Sequence, residues 1–247
     1  MSTISVITPV HTPAIPYLEA AWQSLLDQEM PAGWDWEWII QEDGEDGEAF
    51  AAIPDDPRIQ YDMGRKSGPG VARTIALSRS SGELVKALDA DDMLTPGALA
   101  REIAILSAYP EVGWTTTSTV DLLPDGSLMK WHSDPTEGIF ARSAIYDYWS
   151  QNEYNLPVVP GTLCIRRELI MALGGWMALP ASEDTGLLIA ASILQEGYFI
   201  AEPGLVYRKW SGQSTAQSSH HDETERRARI TVITRRAEAM KALWTQQ

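Results

Sequence analysis

Over the first 110 residues, short β-branched or apolar runs alternate with capped amphipathic segments, and no other feature constrains the fold as much. Ile4-Ser-Val-Ile-Thr-Pro-Val10 reads as a buried strand stopped by Pro9. Thr12 then serves as N-cap with Pro13 at the first helical position, and Ile15, Leu18, Trp22, Leu25 and Leu26 recur at helical spacing. Trp36-Glu-Trp-Ile-Ile40 supplies a second strand and residues 59–61 a third, followed by a helix from about Pro69 to Ser80. Leu84-Val-Lys-Ala-Leu88 is a further strand, and Thr95-Pro96 open a helix carrying Leu99, Ile103 and Leu106. Strands joined by helices of this length must cross over, so the reading is an α/β fold with a mainly parallel sheet and helices on both faces. Ligands of such sheets bind at the carboxyl ends of the strands.

Beyond Pro110 the alternation stops. Val112–Leu123 and Ser127–His132 flank Pro124-Asp-Gly126, a hairpin signal. Helices at about Ile139–Tyr148 and Arg167–Leu173, a strand near Thr162–Ile165, a helix opening at Ser182-Glu183-Asp184, and separate strands Tyr198–Ala201 and Leu205–Arg208 complete this part. No linker-like stretch divides the chain, so residues 1–247 read as one domain with halves 1–110 and 111–221 and a terminal helix over 222–247. In that helix Ile230, Ile233, Ala237, Met240 and Trp244 form an apolar stripe. Its expected use is docking onto its own domain; a homodimer seam and membrane-surface contact are the alternatives.

Nineteen Lys+Arg against 34 Asp+Glu leave a net charge of −15, which repels phosphate backbones and excludes general nucleic-acid binding. The one cysteine, Cys164, builds neither a disulfide nor a Cys-based zinc site and fits a reducing cytoplasm. The amino terminus has no basic region followed by a long apolar one, and the apolar run Leu187–Leu194 is too short to span a bilayer. A soluble cytoplasmic protein without a transmembrane segment is expected.

The chemistry concentrates where the fourth strand ends. Asp89, Asp91 and Asp92 place three carboxylates within four residues, where their mutual repulsion asks for a cation or hydrogen-bond donors. Mg²⁺ or Mn²⁺ answers that need, one of Asp89 and Asp91 holding the metal while the other reaches a polyol or a metal-bound water; an acidic turn before a helix is the structural alternative. Gly64-Arg-Lys-Ser-Gly-Pro-Gly70 lacks the Gly-Lys-Ser/Thr ending of a P-loop.

The order of these motifs resembles the inverting nucleotide-sugar glycosyltransferases of family 2, which have the GT-A fold. Ser5-Val-Ile-Thr-Pro9 is similar to that family's first strand, and Trp38-Ile-Ile-Gln-Glu-Asp-Gly44 to its second strand and Asp-Gly turn. Ala72-Arg73 resembles its Ala-Arg, Gly82-Glu-Leu-Val-Lys-Ala-Leu-Asp-Ala-Asp-Asp92 its strand running into the Asp-x-Asp motif, and Gly174-Gly-Trp176 with Glu183-Asp184 the turn and acidic pair around its catalytic base. The likeness covers roughly residues 4 to 210. Glu45 stands where the family has a small polar residue, and Lys66-Ser-Gly68 and Ala72-Arg-Thr74 replace Asn-x-Gly and Ala-Arg-Asn.

The resemblance implies a nucleotide-sugar-binding half over 1–110 and an acceptor-binding half over 111–221. Asp43, opposite the Thr8-Pro9 turn, would accept the imide N–H of uracil or the N1–H and amino group of guanine, which disfavours cytidine-linked donors. Arg73 would pair with Asp43 or bind the donor diphosphate. Asp91, with Asp92 in reserve, would hold the metal, and Asp89 the ribose hydroxyls or the metal. Asp184 is the expected base for the acceptor hydroxyl, with Glu183 as its rival and first-turn helix acidity as the structural alternative. His220 and His221, after the polar loop Ser211–Ser219, would add a metal ligand as a histidine does in some relatives, or lie in a solvated loop. Trp131, Trp149, Trp176 and Trp210 fall in the acceptor half, where core packing competes with sugar stacking.

The expected activity is metal-dependent inverting transfer of a sugar from a UDP- or GDP-sugar to an acceptor hydroxyl on a small molecule or glycan. The alternatives are a nucleotidyltransferase that makes the sugar nucleotide and a non-catalytic nucleotide- or glycan-binding protein on the same fold.

Overall fold

The computed structural model describes residues 1–130, 133–213, 220 and 222–244. Trp131 and His132 at the hairpin end, residues 214–219, His221 and the side chain of Trp244 lie outside the described residues. Strands β1 (Ser2–Val10), β2 (Trp34–Asp43), β3 (Ile59–Gly64) and β4 (Leu84–Ala87) run parallel in the order β3-β2-β1-β4. The sheet then turns mixed. β9 (Cys164–Arg166) lies antiparallel between β4 and β6 (Val112–Leu122), and β10 (Glu196–Arg208) is parallel to β6. β7 (Leu128–Lys130) closes the expected hairpin with β6, while β8 (Gly138–Phe140) and β5 (Met93–Leu94) pair antiparallel with β10.

Alternation along the strands sorts side chains onto two covered faces. Ile4, Val6, Trp36, Trp38 and Ile40 point to the side closed by α1 (Leu18–Leu26) and α3 (Ala98–Ala108). There Trp22 stacks on Trp38 at 5.7 Å and meets Trp36 edge-on. Ile7, Ile39, Val85 and Trp114 point to the other side, closed by α2 (Pro69–Leu77), α4 (Ala144–Gln151), α5 (Arg167–Leu173), α6 (Glu183–Leu194) and α7 (Glu223–Trp244). Residues 186–193 of α6 are buried on every side, the mark of a helix sunk between layers, so its first turn delivers Glu183 and Asp184 to the edge of the core. The stripe of α7 is spent within its own chain: Ile233 and Ala237 are buried in the core shared with α6, with Ile230 and Met240 packed beside them.

Four local expectations are corrected. Pro16 has no N–H to give to the carbonyl of Thr12, so residues Thr12–Tyr17 form 3-10 turns, no side chain caps them, and α1 starts only at Leu18. Residues 138–140 are strand rather than helix, because β10 offers them a ladder edge and Phe140 packs on Trp114; α4 begins at Ala144. Likewise α3 begins at Ala98, after Gly97 in a left-handed conformation. The two expected strands at 198–201 and 205–208 are one, since the chain passes Pro203 with register shifts instead of ending.

Lys86 falls on the α1/α3 face of a fully buried strand, and it is matched there. Its Nζ donates to Glu102 of α3 at 2.5 Å and to the Thr162 carbonyl at 2.6 Å, with both ionic side chains wholly buried. Burial, opposed by Lys86, still pushes the Glu102 carboxyl above its ordinary range.

Candidate active site

The carboxyl ends of the first three strands enclose a cleft of about 340 Å³ lined by His11, Asp43, Glu45, Arg65 and Lys66 among others. Asp43, the last residue of β2, receives backbone N–H groups from the loop ahead of α2: Ser67 N donates to Oδ1 at 2.6 Å, and Gly68 N lies 3.0 Å from both oxygens. The expected base-reading carboxylate thus also fixes the loop that forms the cleft's basic wall. Thr8 takes no part in the cleft. It is fully buried and accepts the Trp38 indole N–H at 2.8 Å, and β1 continues through Pro9 to Val10, so the wall expected from Thr8-Pro9 is built by His11 and Thr12. Arg65 and Lys66, the cationic wall residues, lie in the loop whose P-loop resemblance fails, and they were not among the site residues expected from the sequence.

Helical spacing places Arg73 on the inward face of α2 with Gly70, Ala76 and Leu77. Its guanidinium joins two parts of the site, Nη2 donating to Asp89 and Nη1 to Glu183 at 2.7 Å. It does not pair with Asp43. Burial works against its charge, but Asp89 and then Glu183 outweigh that, and its pKa rises above the ordinary arginine value. A Cβ on Gly70 would stand 2.5 Å from the Met177 carbonyl and 2.8 Å from Cγ of Glu183, so only glycine lets α2 approach this closely. Gly175 has φ +79°, and Trp176 beyond it exchanges hydrogen bonds with Thr74 of α2 at 2.9 and 3.2 Å. The Gly-Gly-Trp turn therefore pins the chain leading to Glu183 against the helix that carries Arg73.

The three aspartates have separate environments. Asp89 gives one oxygen to Arg73 and keeps 35% of its side chain exposed. Asp91 accepts the Trp210 indole N–H at 2.6 Å. Asp92 is buried and accepts the Arg208 backbone N–H at 2.9 Å, a bond that anchors the end of β10. Burial, then the neighbouring aspartate charges, raise the carboxyls of Asp91 and, more strongly, Asp92 above their ordinary range. Among the described residues no three His, Cys, Asp or Glu side chains form a metal-ligating group. Mg²⁺ and Mn²⁺ are also bound through one or two carboxylates together with a substrate's phosphates. Asp89 and Asp91, hard oxygen donors at one strand end, fit such a site; Asp92 is committed to the backbone.

Asp184 lies in the first turn of α6, where Oδ1 accepts the N–H of Thr185 at 2.6 Å. Burial and the charge of Glu183, opposed by Arg73, push its carboxyl up to about 7. Ser182, where the helix was expected to open, makes no capping bond and sits in the left-handed region at φ +63°. His220 lies at the start of α7, where it lines a second cavity with Ser182 and Thr185 rather than the cleft beside Asp43, and its carbonyl accepts from Arg229. Trp149 and Trp176 are core residues, 2% and 5% exposed, whereas Trp210 faces Asp91 and packs edge-on against Tyr17 at 4.9 Å. The contact between Trp210 and Asp91 spans 119 positions and has no local sequence signal.

No curated protein sequence matches the chain. Solved structures share its fold at low identity. TarS residues 1–349 of S. aureus in complex with UDP-GlcNAc superposes with a TM-score of 0.69 at 16% identity, over 88% of this chain and 61% of that one. The mannosyltransferase PcManGT from Pyrobaculum calidifontis in complex with GDP-Man and Mn²⁺ gives 0.58 at 20% identity, over 83% and 56%. The chain thus spans about three fifths of the length of the solved proteins it resembles. No described helix is long and apolar enough to cross a membrane. The glycosyl transferase family 2 model matches residues 5–174, from β1 through the Asp-x-Asp strand to the glycine turn that pins Glu183 to Arg73, and the chain belongs to that family, on the GT-A fold.

Proposed function

We propose that the chain transfers a sugar from a UDP- or GDP-linked donor to an acceptor hydroxyl with inversion at the anomeric carbon. The observation that carries this reading is the Asp89–Arg73–Glu183 bridge, which ties the end of the Asp-x-Asp strand to the helix turn bearing Asp184. The cleft beside Asp43 has the size and the cationic wall for a nucleotide. Asp89 and Asp91 would hold Mn²⁺ or Mg²⁺, which when bound neutralises charge on the donor diphosphate. Arg73 holds Asp89 in place and, through Glu183, fixes the start of α6. Asp184, raised to about 7, is matched to taking a proton from an acceptor hydroxyl near neutral pH. The finer assignments are part of the proposal: Asp43 to the base, Asp184 as base before Glu183, and a cytoplasmic setting suggested by the one cysteine, Cys164, which is buried and unpaired.

The test is incubation with UDP- and GDP-sugars and Mn²⁺, following nucleotide release and the anomeric configuration of the product. Inversion supports direct displacement with a single base. Retention removes Asp184 from that role. Turnover only with a nucleoside triphosphate and a sugar phosphate replaces the reading with nucleotidyl transfer, and nucleotide binding without any turnover replaces it with a binding function.

A further inference from the structure

The first turn of α6 has a second side. Away from Arg73, Ser182 and Thr185 on either side of Asp184 form one wall of a cavity of about 430 Å³, and Arg226 and Arg229 of α7 form another. Both helices begin here, and helix starts turn unpaired N–H groups and the positive end of the dipole toward their surroundings. The side chain of Arg229 is 5% exposed; Nη1 reaches Glu225 at 3.4 Å and Nη2 the His220 carbonyl at 3.1 Å, while Nε is buried with no acceptor among the described residues. Leaving such a donor unmet is unfavourable, so a ligand that brought an acceptor atom to it would be stabilised there. Arg226 donates only Nη2, to the Glu153 carbonyl at 3.2 Å, and is half-buried. The carboxylates nearby are already matched: Glu223 pairs with Arg227 at 3.0 Å and Glu225 with Arg229.

The backbone around the cavity is also unusual. Ser182, Glu153 and Tyr154 have φ of 63°, 53° and 62°, and they are three of the four non-glycine residues with positive φ among those described. Strained conformations of this kind collect at ligand sites. Tyr154 packs edge-on against Trp149 at 4.9 Å and gives the cavity an apolar wall.

From these observations we infer that the acceptor carries an anionic group, phosphate or carboxylate, bound in this cavity by Arg226 and Arg229 beside Asp184. The inference rests on the glycosyltransferase reading above. Guanidinium groups bind either anion through charge-assisted hydrogen bonds, and Thr185 of the cavity wall donates its hydroxyl to Oδ1 of the proposed base at 3.4 Å.

Calorimetry on the full chain, saturated with UDP or GDP and Mn²⁺ so that the donor site is filled, would compare glucose 6-phosphate, glucuronate, methyl β-glucoside and inorganic phosphate. At least one anionic sugar should bind about tenfold more tightly than the neutral glucoside. The phosphate and carboxylate arms tell which anion is recognised. Arg226→Gln should remove most of that preference, with Arg229→Lys as a second, milder variant, while Arg235→Gln on the exposed side of α7 leaves it intact. Equal binding of all three sugars overturns the inference, as does a preference untouched by both arginine variants. Inorganic phosphate binding as tightly as glucose 6-phosphate also overturns it, because the cavity would then recognise no acceptor. If no nucleotide binds, the glycosyltransferase reading fails and takes the acceptor role with it; nucleotide binding without anionic preference removes the acceptor inference alone.

Discussion

A raised Asp184 carboxyl costs stability near neutral pH and suits the proposed role of this residue as base. Folding raises its carboxyl from about 3.9 in an unfolded chain to about 7, so the folded state holds a proton that the unfolded chain releases. The stability contributed by the protonated group is full at acid pH and is lost as pH climbs through that window. Asp184→Asn should therefore raise Tm at pH 8 by a few degrees, with the gain shrinking toward pH 5, while lowering turnover roughly a hundredfold or more with nucleotide binding near wild type. Melting curves across pH together with kcat check both halves. A loss of stability at every pH with turnover preserved would identify a helix-start carboxylate and nothing more. Wild-type kcat should rise through about pH 7 as the carboxylate ionises. Arg73 acts differently, because its two partners are on different elements. Arg73→Lys keeps the charge but cannot reach both Asp89 and Glu183 with one ammonium, and the expected result is a loss of kcat larger than the loss of Tm would suggest.

At the scale of elements, the approach of α2 to the chain before α6 sets the site. Gly70→Ala puts a methyl 2.5 Å from the Met177 carbonyl, so it should cost about 1–3 kcal/mol and displace Glu183, seen as a lower Tm and weaker turnover together. The buried pair between β4 and α3 makes a separate prediction. Lys86→Met alone takes the ion-pair partner from the buried Glu102 and should cost about 3–5 kcal/mol, whereas Lys86→Met with Glu102→Leu should recover most of it in denaturant melts. These couplings also explain what could be read from the chain beforehand. The parallel strands, the acidic strand end at 89–92 and the Glu183-Asp184 helix start are local patterns, and each is where periodicity and turn chemistry placed it. Pro16 delayed one helix through a local cause, its missing N–H, whereas tertiary pairing decided Pro203 and Ile139: a bulge let one strand continue, and a free ladder edge turned a helix-like run into β8. Arg73 was legible as a candidate, with Asp43 or the donor diphosphate as its expected partner, but its partners in the fold stand 16 and 110 positions away. Thr8 was misplaced because a strand that runs two residues further turns a loop residue into a core one.

On the scale of the whole molecule, a net charge of −15 must be reconciled with a polyanionic donor. The local cations Arg65 and Lys66 supply part of the answer, but they share their cleft with Asp43 and Glu45, and Asp89 and Asp91 stand at the neighbouring strand end. A nucleoside diphosphate entering alone meets several carboxylates, among them Asp91, whose carboxyl burial and the charge of Asp89 have already raised, so its affinity should depend strongly on a divalent ion arriving with it. A ligand at a hundred times its Kd stabilises the native state by about 2.7 kcal/mol, or about 5–10 °C in Tm for a chain of this size. UDP or GDP with Mn²⁺ should produce a shift of that order, and the same nucleotide in EDTA a much smaller one. Mn²⁺ alone is the necessary control, because an acidic surface binds cations without a site. Asp91→Asn should erase most of the difference between the two conditions, since it removes a proposed metal ligand while leaving Asp43 and the loop before α2 in place. Equal shifts with and without the metal would mean that the cationic wall suffices and that Asp89 and Asp91 serve only the fold.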